Sequence, residues 1–194
     1  MEKQHLRKQV IQQLHQLTPS DHERKSSIIT DKVLASDEFK YAETIGITLS
    51  RFPEVNTHRL IETAWQVGKR IAIPRCISST REMDFRLIDS FDQTEVVYMD
   101  LKEPKIDLTE PVRPEEIDLQ IVPGVVYSET GYRIGFGGGY YDRYLINFPF
   151  ETFSLAFDCQ ISHNIVREPH DVPVSYIYTD EHIIDCQKAR EANE

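Results

Sequence analysis

Four glycines fall within five positions, Gly135, Gly137, Gly138 and Gly139, just ahead of Tyr141 to Ile146, a stretch that suits a short helix. Glycines so placed let the backbone approach an anion closely. Their N–H groups can form a concave nest, and the start of a following helix adds positive potential. Arg133, Asp142 and Arg143 crowd the same loop, so phosphate binding is the chemistry it favours. The competing reading is a tight turn that merely lets a strand and a helix pack closely. Two familiar phosphate loops do not fit. A dinucleotide fingerprint begun at Gly135 needs glycine where Tyr140 stands, and a P-loop needs Lys and then Ser or Thr where Tyr140 and Tyr141 stand.

Other residues able to do chemistry are scattered. Asp142 and Asp171 each have an ordinary use, the first as a helix-start acid and the second in an Asx-type turn before Pro173. His170, beside Asp171, reads as a turn residue. Cys76, Cys159 and Cys186 are odd in number, far apart and without a CxxC pair, which fits plain thiols in a reducing compartment. Of Tyr140 and Tyr141, one can stack on a ring while the other packs into the core.

The elements that position these residues follow from periodicity. Leu6, Val10, Leu14 and Leu17 mark an amphipathic helix that breaks before Pro19. Thr18 then caps a second helix, with Pro19 at its first position and Asp21 three past the cap, reaching Val33 and Leu34. Ile45, Ile47 and Leu49 form a strand, followed by the loop RFPEVNT, a helix from about Thr57 to Val67 closed by Gly68, and a strand Ile71 to Ile73 stopped by Pro74. Phe85 to Ile88 and Val96 to Met99 are weaker strands, and Pro104 to Pro114 is irregular. Ile121 to Val126, Phe153 to Phe157 and Tyr176 to Thr179 complete the strands. Strand, helix, strand order predicts an α/β fold with a largely parallel sheet between helices.

The chain has 194 residues and a formal net charge of −10. Folding at this length buries about 70% of the open-chain surface, so ligands serve function rather than folding. The negative balance disfavours nucleic acid and anionic membrane as partners. An anionic substrate would need its cations gathered locally. No signal-like apolar region opens the chain and no stretch reaches a membrane span, so the expected location is cytoplasmic.

The run Arg133, Gly135, Gly137, Gly139, Tyr140, Tyr141, Asp142 resembles the RxGxGxGYYD signature of the 5-formyltetrahydrofolate cyclo-ligase family. The likeness continues through an N-terminal helix with Lys3 and Arg7, LSRFPE at Leu49 to Glu54, IPR at Ile73 to Arg75, and HDVPV at His170 to Val174. From about Ser78 to Leu108 there is little of it.

The resemblance implies a three-layer α/β/α open sandwich over 1–194, with the helical pair of about 1–36 packed on a core of about 44–186. It implies ATP, Mg²⁺ and a reduced folate, 5-formyltetrahydrofolate, as ligands, with 5,10-methenyltetrahydrofolate, ADP and phosphate as products. By position, ATP contacts fall on Lys3, Gln4, His5, Leu6 and Arg7, and on Arg133, Ile134, Gly135, Phe136, Gly137, Gly138, Gly139, Tyr140 and Tyr141. Folate contacts fall on Leu49, Glu54 and Phe136 to Tyr140, Mg²⁺ on Asp142 and Asp171, and catalytic roles on Arg133 and Tyr140. Where some family members carry a basic residue in the glycine run, this chain has Phe136 and Gly138, so Lys3, Arg7, Arg133 and Arg143 are expected to supply the charge. Two rival readings stay open: a sugar-phosphate isomerase on a similar sandwich, and a non-catalytic folate or nucleotide binder.

Overall fold

The computed structural model describes residues 3–193. Its helices are α1 (Lys3–His15), α2 (Pro19–Leu34), α3 (Asp37–Tyr41), α4 (His58–Gln66), α5 (Tyr140–Leu145) and α6 (Cys186–Glu191). The main sheet takes β1 (Thr44–Gly46), β2 (Arg70–Ile77), β3 (Glu82–Ile88), β6 (Glu110–Pro111), β7 (Leu119–Ile121), β10 (Glu151–Ala156), β11 (Tyr176–Thr179) and β12 (Ile183–Asp185). Two small ribbons are made by β4 (Thr94–Val96) with β5 (Lys102–Pro104), and by β8 (Val126–Tyr127) with β9 (Arg133–Ile134).

The sheet order is β12-β11-β10-β7-β1-β2-β3-β6. The five strands β11, β10, β7, β1 and β2 run parallel, and antiparallel strands close both edges. From β1 the chain moves to β2 on one side and later to β7 on the other. The crevice outside the carboxyl ends of strands at such a switch point is where open α/β sheets bind ligands.

Alternation along the strands sorts side chains into two cores. Ile45, Ile71, Ile73, Leu119, Ile121, Phe153 and Leu155 meet Leu6, Val10 and Leu14 of α1, Ile29 and Val33 of α2, and Leu60, Ile61 and Ala64 of α4. Ala72 and Phe85 on the opposite face pack with Tyr141, Tyr144 and Phe148, while Ala156 and Ile177 pack with Leu145 and Cys186. Helices thus cover both faces, as an α/β/α sandwich requires. Each buried Leu, Ile or Phe contributes about 1.5–3 kcal/mol. Among the described residues no helix is long and apolar enough to cross a membrane.

Local signals held where they were local. Thr18 Oγ1 accepts from the Asp21 N–H at 3.1 Å and opens α2, and Gly68 follows α4 at φ +82°. Three readings need correction. Strand β2 continues through Pro74, because β1 ends opposite Ala72 and from there β2 is paired on the β3 side alone, so a missing N–H is tolerated. Ile121 to Val126 is not one strand: β7 stops at Ile121, and Pro123 and Gly124 separate it from β8. Val96 ends β4, and Tyr98–Asp100 is a 3₁₀ turn. The short helices α3 and α6 and the edge strand β12 were not anticipated.

Candidate active site

A cleft of about 440 Å³ opens at the carboxyl ends of the parallel strands. Thr48 and Leu49 reach it just after β1, Pro74 and Cys76 from the second half of β2, and Pro123 just after β7. The glycine loop forms one wall. The ribbon β4–β5 supplies another through Tyr98, Met99, Leu101 and Lys102.

The glycine loop takes a shape that side chains resist. Gly137 sits at φ +103° and Gly139 at φ +70°, the latter as the left-handed residue before α5. Such angles cost an L residue roughly 1–2 kcal/mol. At six residues α5 is too short for a strong dipole, so loop amides rather than the helix carry the anion-binding potential. The loop is fixed from outside by Arg7, whose Nε donates to the Gly135 carbonyl at 2.8 Å, and by Arg81, whose Nη1 donates to the Gly138 carbonyl at 3.4 Å.

Arg133 is buried on β9. Its Nη1 donates to the Val172 carbonyl at 2.9 Å and its Nη2 to Asp142 Oδ1 at 3.1 Å. The Val172 N–H returns a bond to the same Oδ1 at 3.3 Å. The HDVPV segment and the glycine loop, some 30 residues apart, are therefore clipped together at one point. Beyond it, Lys3 Nζ donates to Glu168 Oε2 at 2.6 Å and lies 3.5 Å from Asp171 Oδ2, which also accepts the Glu168 N–H at 2.8 Å. Burial pulls the Lys3 pKa down, but the bond to Glu168 and the field of Asp171 outweigh it and hold the amine above its ordinary value. Glu168, His170 and Asp171 present ligand atoms within 4.8 Å of one another, a geometry open to a cation.

At the other end, Glu54 faces the cleft from the turn RFPE, whose Phe52-Pro53 peptide is cis. Its Oε2 accepts the Arg51 N–H at 2.8 Å. Burial raises its pKa against the opposing bond and charge of Arg51. Cys76 also lines the cleft, its thiol pushed up to about 12 by burial and then by Glu103, so it is no thiolate nucleophile.

Most residues singled out in the sequence converge on this cleft: Lys3, Arg7, Leu49, Glu54, the whole run Arg133 to Tyr141, Asp142 and Asp171. Gln4 and His5 do not, since α1 turns them to solvent, and Leu6 is buried in the core. Lys3 and Arg7 lie four apart on one helix face, and only that face meets the cleft. Arg143 is exposed and absent from the lining. Tyr141 is the packed member of its pair, with its hydroxyl buried and unpartnered. Sequence reasoning missed Arg51, Lys102, Glu103 and Glu168, which carried no recognisable spacing. The lining holds five cations (Lys3, Arg7, Arg51, Lys102, Arg133) and five carboxylates (Glu54, Glu103, Asp142, Glu168, Asp171), so the cleft is balanced within a chain of net −10. An anionic ligand meets gathered cations there and net repulsion elsewhere.

Comparison with known proteins converges on one group. The model of the 5-formyltetrahydrofolate cyclo-ligase family matches residues 1–180. A 5-formyltetrahydrofolate cyclo-ligase of Escherichia coli is 30% identical over 168 residues, covering 84% of this chain and 92% of that protein. Its namesake from Mus musculus is 30% identical over 191 residues, covering 90% and 92%. The solved 5,10-methenyltetrahydrofolate synthetase of Aquifex aeolicus superposes with a TM-score of 0.85 at 27% identity, covering 96% of this chain and 94% of that one.

Proposed function

The chain belongs to the 5-formyltetrahydrofolate cyclo-ligase family, and from that premise we propose that it closes 5-formyltetrahydrofolate to 5,10-methenyltetrahydrofolate with consumption of ATP. The observation that carries this reading is the cleft itself, where the glycine loop and its cations share one cavity with the half-buried carboxylate of Glu54.

A formamide is a weak electrophile whose oxygen leaves only if it is first activated. ATP with Mg²⁺, when bound, supplies the phosphoryl group that makes the formyl oxygen a leaving group, after which the neighbouring folate nitrogen closes the ring and phosphate departs with that oxygen. The work left to the protein is positioning and charge neutralisation rather than covalent catalysis.

The side chains fit those needs. Lys3 and Arg7 on one face of α1, Arg133 in the β9 wall and the amides of Gly135 to Gly139 receive phosphate oxygens. Asp142 and Asp171 offer oxygen donors to a hard cation, the ligand type Mg²⁺ takes. Their present partners, Arg133 for Asp142 and Lys3 for Asp171, are cations that triphosphate can draw away. Glu54, together with Leu49, holds the pterin: the free oxygen and the one shared with the Arg51 N–H accept from its amino group and ring N–H. Tyr140, at the end of the glycine run, lines the same cleft and is the residue to which we assign contact with both ligands.

Isotope transfer tests the route. With ¹⁸O in the formyl oxygen, the label is expected in the released phosphate; label retained in solvent water would overturn phosphoryl activation of that oxygen.

A further inference from the structure

The Arg51 side chain has no role in the chemistry above, yet Arg51 touches three walls of the cleft at once. Its backbone N–H donates to Glu54 Oε2 at 2.8 Å. Its guanidinium donates through Nη1 to the Met99 carbonyl at the tip of the β4–β5 ribbon. The same group lies 6.0 Å from the centroid of the Phe136 ring in the glycine loop. The ribbon tip closes on itself through the Val97 N–H to the Leu101 carbonyl at 2.7 Å and the Leu101 N–H to the Tyr98 carbonyl at 3.3 Å, yet Tyr98 and Met99 are exposed, and Met99 and Asp100 both sit at left-handed φ, +56° and +59°, an arrangement that non-glycine residues keep only when their surroundings hold it.

We propose that Arg51 is a positioning residue that latches the ribbon tip Tyr98–Leu101 onto the glycine loop beside Glu54, and so fixes the width of the folate half of the cleft. The planar guanidinium suits this task because it bonds a carbonyl in its plane while presenting a face to an aromatic ring. The glycine loop keeps its own supports without Arg51, from Arg7 and Arg81 on its carbonyls and from the Arg133 bond to Asp142, so loss of the latch falls on folate recognition. This last step rests on the folate reading of the Glu54 side.

Two measurements on the full chain separate the latch from that reading. In ligand-free protein, hydrogen exchange of the 97–102 amides should speed up about tenfold in Arg51→Ala, as expected for loss of a charge-assisted bond, with exchange in β1 and β7 unchanged. In steady state, Arg51→Ala should raise KM for 5-formyltetrahydrofolate about tenfold, move KM for ATP less than about twofold, and leave kcat nearly intact, with Arg51→Lys recovering part of the folate loss. Unchanged exchange at the ribbon tip overturns the latch whatever the kinetics. Faster exchange with equal shifts in both KM values overturns its assignment to folate. Absence of turnover in the unmodified chain would sink the functional reading and leave the exchange result standing.

Discussion

Arg133 and Asp142 hold each other across the glycine loop, Nη2 to Oδ1 at 3.1 Å, with the guanidinium almost wholly enclosed and the carboxylate about a quarter exposed. The pair does two jobs. It clips the loop to the Val172 backbone, and it keeps a cation and a carboxylate together at the glycine-loop end of the cleft.

Asp142→Asn should therefore cost both stability and metal dependence. Weakening the pair leaves a buried guanidinium short of charge, worth about 2–3 kcal/mol, readable in urea unfolding. The Mg²⁺ concentration for half-maximal rate should rise, with excess Mg²⁺ restoring part of the activity. An unaltered Mg²⁺ requirement in a destabilised Asp142→Asn protein would leave Asp142 as a clip for Arg133 alone.

Arg133→Lys keeps the charge but cannot hold both the Val172 carbonyl and Asp142 while facing phosphate. The expected defect is in kcat, by about 10-fold to 100-fold, since a fork is replaced by a point charge. Weak ATP binding with a normal rate at saturation would mark Arg133 as a ground-state anchor.

Glu54 titrates above an ordinary glutamate because it is buried. A carboxylate with a raised folded pKa binds its proton more tightly in the native than in the unfolded state. Native stability contributed by this group therefore falls as pH rises, between the ordinary glutamate pKa and the raised one. Folate recognition runs the other way, because the ionised form accepts from the pterin. As pH falls, KM for folate should begin to climb above the pH at which an ordinary glutamate titrates, and Glu54→Gln should flatten the climb. The same replacement should raise KM for folate at neutral pH about 30-fold. A KM for folate independent of pH in the unmodified chain would return Glu54 to a structural role.

The glycine loop offers a contrast within one segment. Gly137→Ala places an L residue at φ +103° and should lower stability by about 1–2 kcal/mol. Gly135→Ala meets no atom within 4 Å and should leave stability unchanged. Equal melting-temperature losses for both would mean that the loop is not held in this shape.

What the sequence made legible was what its own neighbours determine. The Thr18, Pro19, Asp21 cap, the helix stop at Gly68 and the glycine loop are each set by residues within a few positions. Pro74 was misread because its tolerance depends on where β1 ends. The stretch between β3 and β7 resisted reading because arginines outside it hold its backbone. Arg75 bonds the Pro104 carbonyl, Arg86 bonds the Ile106 and Thr109 carbonyls, and Arg51 bonds that of Met99. No spacing within the segment announces those partners. The cleft residues it contributes, Tyr98 to Glu103, were hidden for the same reason. Likewise, the resemblance carried Gln4, His5 and Leu6 over with Lys3 and Arg7, whereas the helix presents only one face to the cleft.

The central claim is tested most directly by incubating the purified chain with 5-formyltetrahydrofolate, ATP and Mg²⁺ and following the near-ultraviolet absorbance of methenyltetrahydrofolate. The account predicts growth of that absorbance with one ADP released per ring closed, and none when folate, ATP or Mg²⁺ is left out in turn. Product formed without ATP, or ATP and folate bound with no product at all, would contradict it.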